Sequence, residues 1–152
     1  MAGKNKHKLV KYLILYIATY FIIDFATGFN WDVQYWLSVN GPLMMAILYP
    51  LSGLIFYYII YKRKWEDWKI FTAMMAYAMF IEAFVLRNPF VITFPALMAG
   101  IPLAADLYGL IVFLPKWITD KEVRKHKLLL AIMTIIFIIL AIIAYFNNPH
   151  AV

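Results

Sequence analysis

The sequence predicts an all-α integral membrane protein: a five-helix transmembrane bundle, N-terminus cytoplasmic and C-terminus outside. Three observations predict it. Hydrophobic residues make up 65% of 152 and charged residues 14%, with mean hydropathy +0.77. Soluble domains are about half apolar and about a quarter charged, and a chain this short cannot hide the excess from water. Next, five apolar stretches stand out, at about 9–28, 43–61, 70–86, 90–115 and 128–146, close to the roughly 20 helical residues that cross a bilayer. Finally, the basic residues fall almost wholly on one side.

The first span follows a basic start and ends near Ala26-Thr27-Gly28. That pattern resembles a cleavable signal, but the run is long enough to span, so it reads as a signal anchor. Residues 29–42, FNWDVQYWLSVNGP, are too polar to span and too aromatic for a free loop. They predict an interfacial segment closed by the Asn40-Gly41-Pro42 turn. The second and third spans, 43–61 and 70–86, flank a basic turn. The fourth, 90–115, contains Pro95 and Pro102 and predicts one tilted helix kinked at both, a re-entrant half-helix followed by a span being the alternative. Residues 116–127 read as a basic inner connection that begins the last helix early. The final span has no ionisable group and is expected to face lipid.

Counting charges sets sidedness. The three segments that face inward in this topology hold Lys4, Lys6, Lys8 and Lys11, then Lys62, Arg63, Lys64 and Lys69, then Lys116, Lys121, Arg124, Lys125 and Lys127. That is thirteen of the fourteen basic residues, with Arg87 alone outside. Such asymmetry is the positive-inside pattern. Trp31, Trp36, Trp65, Trp68 and Trp117 all fall at span ends, as interfacial anchors do. The net charge of +6 therefore reads as lipid-headgroup contact, and no nucleic-acid partner is expected. Residues 1–152 form one transmembrane domain without repeat or linker. The cysteine-free, Ile- and Lys-rich make-up predicts a multi-pass protein of a prokaryotic plasma membrane.

Without cysteine there is no disulfide, thiolate metal site or covalent haem. The three histidines lie in polar flanks. Gly-rich phosphate loops, HExxH and Gly-x-Ser-x-Gly are absent, so no catalytic residue, cofactor or metal is expected. Chemistry has to come from acids in the spans, since an aspartate at a helix centre costs about 2.5–3.5 kcal/mol or more and usually faces protein or water. Asp24 and Glu82 each lie roughly 6 Å inside the outer boundary at 1.5 Å per residue. Arg87 lies at that surface, predicting an outer charge cluster or a cation mouth.

Asp106 lies about 13 Å from the inner boundary, near the midplane. Desolvation disfavours a charged carboxyl there, so it can donate a hydrogen bond, hold a proton or ligate a cation. Tyr108 is nearby, and Ala96, Gly100 and Ala104 form a small-residue face for another helix. Tyr12, Tyr16, Tyr20, Asp24 and Gly28 recur every fourth residue, one stripe of the first helix. Such a stripe is either a helix–helix seam or the lining of a path.

These residues predict a proton- or cation-linked transporter or channel-like protein. Asp106 would be its ion site, with Asp24, Glu82, Tyr20, Tyr108 and Arg87 as further binding or access residues. Its partners would be the lipid bilayer and either further copies of itself, as a homo-oligomer, or other membrane subunits. The alternatives are a non-catalytic subunit of a larger membrane complex, and a membrane enzyme or receptor for an amphiphilic lipid.

Overall fold

A computed structural model of the chain describes residues 2–28, 33–38, 41–81 and 94–147. Among them the secondary structure is entirely helical. Helix α1 (Ala2–Ile23) runs on into a π-helical turn, Asp24–Gly28. Helix α2 (Val33–Ser38) lies within the segment expected at the outer interface. Helix α3 (Gly41–Lys62) is continuous but not uniform. It contains π-helical turns at Met44–Leu48 and Tyr58–Lys62 on either side of an α-helical middle, Tyr49–Tyr57. Helix α4 (Asp67–Phe80), α5 (Phe94–Asp120) and α6 (Lys127–Phe146) follow among the described residues.

Among the described residues, three helices are long and apolar enough to cross a membrane: Lys6–Thr27, Gly41–Lys62 and Lys127–Phe146. The all-helical architecture is compatible with a membrane protein, and five helices fit it. Glu82, Arg87 and the rest of 82–93 lie outside the described residues.

Helix α5 is the axle of the bundle. It packs on α1, α4 and α6, while α3 packs on α1 and α6 reaches the π-turn that ends α1. The unbroken run Tyr108–Phe113 is buried, which an amphipathic surface helix would not allow. By contrast α6 buries only Met133 and Ala141, and leaves Leu128, Ile132, Ile135, Ile139 and Ile142 exposed. An apolar helix with so little protein cover suits lipid on most of its circumference.

Two features differ from the sequence expectation. Residues 116–120 belong to α5 and do not start the last helix early; α6 begins only at Lys127. Lys121 ends α5 by adopting φ 62°, so that the Glu122 amide donates to the Trp117 carbonyl at 2.8 Å. This is the left-handed cap that closes many helices. The same conformation at Lys64, φ 53°, ends α3. Trp117, expected as an interfacial anchor, is 2% exposed, stacked between Phe113 (5.6 Å) and His126 (4.5 Å). Extension of α5 beyond Pro115 carries the ring into the bundle.

The expected kink positions and the Ala96/Gly100 face lie where side chains are not described. Ala104, the third member of that face, packs against this chain's own core.

Candidate functional site: two faces of one helix

Helix α5 carries the two regions of interest on different faces. Asp106 and Tyr108 are two residues apart, hence about 200° around the helix. Asp106 shares its face with Gly109, Phe113 and Trp117, at offsets of three, seven and eleven. These residues floor a groove of about 470 Å³, walled by Asp67, Trp68 and Phe71 of α4 and by Leu129, Met133 and Ile136 of α6. His126, beside the basic turn that joins α5 to α6, also lines it.

Gly109 lets the Met133 side chain come close to the backbone of α5. A Cβ there would stand 2.7 Å from Met133 Cε and 3.6 Å from Phe71 Cε2. Among the described residues the Oδ2 of Asp106 is buried and has no hydrogen-bond partner, and the same holds for Trp117 Nε1. A buried acceptor without a donor costs about 1–3 kcal/mol, more when charged. The groove therefore offers one deep acid acceptor to whatever enters it: a proton, a small cation or a donor group.

At the mouth, Asp67 binds Lys116 at 3.2 Å, and Lys116 also lies 4.0 Å from Glu122. A second groove, about 560 Å³, runs between α1 and α6 and is lined by apolar and aromatic side chains including Phe21, Phe25, Phe137 and Ala141.

The opposite face of α5 meets the tyrosine stripe. Tyr12, Tyr16 and Tyr49 are fully buried, and Tyr20 is 2% exposed. Asp24, the first residue of its π-turn, accepts a hydrogen bond from the Tyr49 hydroxyl at 2.6 Å. Tyr49 stacks on Tyr20 at 4.3 Å and 20°, and Tyr20 meets Tyr108 edge-on at 6.4 Å. One turn further in, the Tyr16 hydroxyl donates to Ser52 Oγ at 3.2 Å and lies 4.0 Å from Met74 Sδ. Ser52 Oγ in turn donates to the Leu48 carbonyl at 2.7 Å.

Gly53 permits this approach: a Cβ there would stand 3.0 Å from both Leu13 Cδ2 and Tyr16 Cδ1. Tyr12 follows, its ring 5.7 Å from those of both Tyr57 and Tyr61. At the far end of the stripe from Asp24, the Tyr61 hydroxyl donates to Asp120 Oδ2 at 3.3 Å. Asp120 pairs with Lys8 at 2.8 Å, and Lys8 also sits 4.0 Å over the Tyr61 ring.

The expected site residues are thus divided. Asp24, Tyr20 and Tyr108 come together on the α1–α3 side, and Asp106 faces away from them into the groove. Glu82 and Arg87 fall outside the described residues. Sequence reasoning passed over Asp120, Tyr61 and Ser52 as site residues. Ser52 had one signal, being the lone serine in an expected span. Among the described residues no three His, Asp or Glu side chains gather to hold a metal. No protein family, curated protein or solved structure matches this chain.

Proposed function

We propose that this is a small proton- or cation-linked transporter or channel-like protein with Asp106 as its ion site. It would cross a prokaryotic plasma membrane five times, N-terminus inside and C-terminus outside, with its fourth helix kinked at Pro95 and Pro102. The observation that carries the reading is the buried, unpartnered Oδ2 of Asp106 near the middle of α5, at the head of a groove. A costly acid with no structural partner needs another reason to be there. The groove gives it access from the side where Asp67, Lys116 and His126 lie. Asp24 would be an access residue on the outer side, with Glu82 and Arg87 beside it.

The test is flux in liposomes. Wild type should carry a proton-coupled or cation flux that an uncoupler alters and that disappears in Asp106→Asn. Equal flux in wild type, mutant and empty liposomes would remove the proposal. A second reading, a non-catalytic subunit of a larger membrane complex, draws on the apolar groove between α1 and α6, which a helix of a partner would fill. Mild detergent extraction that recovers stoichiometric partner chains would favour it.

A further inference from the structure

The tyrosine stripe, taken with what α3 and α5 place against it, spans most of a bilayer. From Asp24 to Lys8 is sixteen residues of helix, about 24 Å of rise, against a hydrocarbon core of about 30 Å. A carboxylate stands at each end, Asp24 bonded to Tyr49 and Asp120 bonded to Tyr61. Between them lie the hydroxyls of Tyr20, Tyr16, Ser52 and Tyr12, all on residues at most 2% exposed and so shut off from lipid.

A seam needs only rings. Phenylalanine would supply the same stacking without the cost of a buried hydroxyl, and one of these hydroxyls and one beside them are poorly served. The Tyr12 hydroxyl has no hydrogen-bond partner, and that of Tyr77 lies close to Ser52 and Tyr20 without completing a hydrogen bond. Buried polar atoms left this way call for a reason beyond packing. Local backbone adds to the case. π-Helical turns, which are rare and gather at functional sites, occur at both ends: at Asp24 itself, directly before Tyr49, and around Tyr61.

We propose that this column is a proton path across the protein, separate from the Asp106 groove and independent of it. A proton arriving at Asp24 passes to Tyr49 while the Tyr49 hydroxyl releases its own proton inward. Each hydroxyl then takes a proton from its outer neighbour and hands one to the next oxygen, directly or through one water. Asp120 receives the last and gives it up beside Lys8. One O–H bond forms and one breaks at every oxygen, one proton enters and one leaves, and no oxidation is involved. Hydroxyls can both donate and accept, and they rotate freely enough to reset the chain. Tyr16 hands its proton to Ser52 Oγ, to which its hydroxyl already donates at 3.2 Å.

The experiment is proton flux into liposomes of phosphatidylethanolamine and phosphatidylglycerol, read by a trapped pH dye under a valinomycin-set potassium potential. Wild type should conduct above empty liposomes. Tyr16→Phe and Tyr49→Phe keep the rings and should each lower the rate about a hundredfold or more, the scale of losing one positioned proton-transfer group. Ile139→Leu, on the exposed apolar side of α6, should leave this flux within about twofold. If Tyr16→Phe does not fold, Ser52→Ala tests the same link. Wild-type rates in the folded Phe or Ala variants would overturn the proposal, as would no flux in wild type. Loss of flux in Asp106→Asn alone would overturn the column while sparing the Asp106 reading.

Discussion

Replacing Tyr49 with phenylalanine isolates one hydrogen bond from its packing. The substitution removes a single oxygen and its 2.6 Å bond to Asp24, and leaves the ring stacked on Tyr20 at 4.3 Å. Since Tyr49 is fully buried and the ring remains, no methyl-sized cavity opens. Interhelical hydrogen bonds in membrane proteins average about 0.6 kcal/mol, with a maximum near 1.7 kcal/mol. The expected loss is therefore about 0.6–1.7 kcal/mol, well below the roughly 3–5 kcal/mol for truncating a large aromatic to alanine.

Asp24 and Tyr49 both make further contacts, which a double-mutant cycle with Asp24→Ala cancels. Reversible denaturant unfolding in detergent micelles would supply the four stabilities. A coupling of about 1 kcal/mol is expected. A coupling below about 0.3 kcal/mol, the usual error of additivity, would mean that the two side chains are not joined and that the outer end of the column is misdrawn.

Other expectations follow from the same contacts. Gly53→Ala should destabilise by about 1–3 kcal/mol, because its Cβ would press on Leu13 and the Tyr16 ring at 3.0 Å; an unfolding midpoint equal to wild type would refute that close approach. Gly109→Ala meets only the end of a flexible side chain, Met133 Cε, and should cost less than Gly53→Ala in the same titration. Asp120→Asn breaks a pair whose side chains are 39% and 22% exposed, so its stability cost should stay within about 1 kcal/mol, while proton flux through the column falls. The native chain has no cysteine, so single cysteines report topology. Lys64→Cys and Lys125→Cys should react with an impermeant reagent from one side, and Ser38→Cys and Asn147→Cys from the other; any exchange between the sets would break the five-span topology.

Much of the fold is legible in the sequence because lipid imposes simple rules. Helices that must satisfy their own backbone, at a length set by the bilayer, show up as apolar runs. The four-residue spacing of Tyr12, Tyr16, Tyr20 and Asp24 is enough to place them on one stripe. Likewise, the two-residue step from Asp106 to Tyr108 already separates their directions. What periodicity could not supply was the rotation of each helix about its own axis relative to its neighbours. Helix α3 is apolar on most of its surface, so nothing in its pattern said that Tyr49 and Ser52, rather than Leu51 or Ile55, would turn toward α1. For the same reason Trp117 read as an anchor at a span end, although α5 carries it inward to stack on His126.

By itself, then, the sequence determined the solvent, the helices and the sign of the charge on each flank, because these depend on composition along the chain. Tertiary structure alone decided that Asp24 and Asp120 would cap one buried column of tyrosines and that Asp106 would face a separate groove. Those outcomes rest on close contacts between helices distant in sequence, such as the approach allowed at Gly53, and such contacts leave no periodic trace.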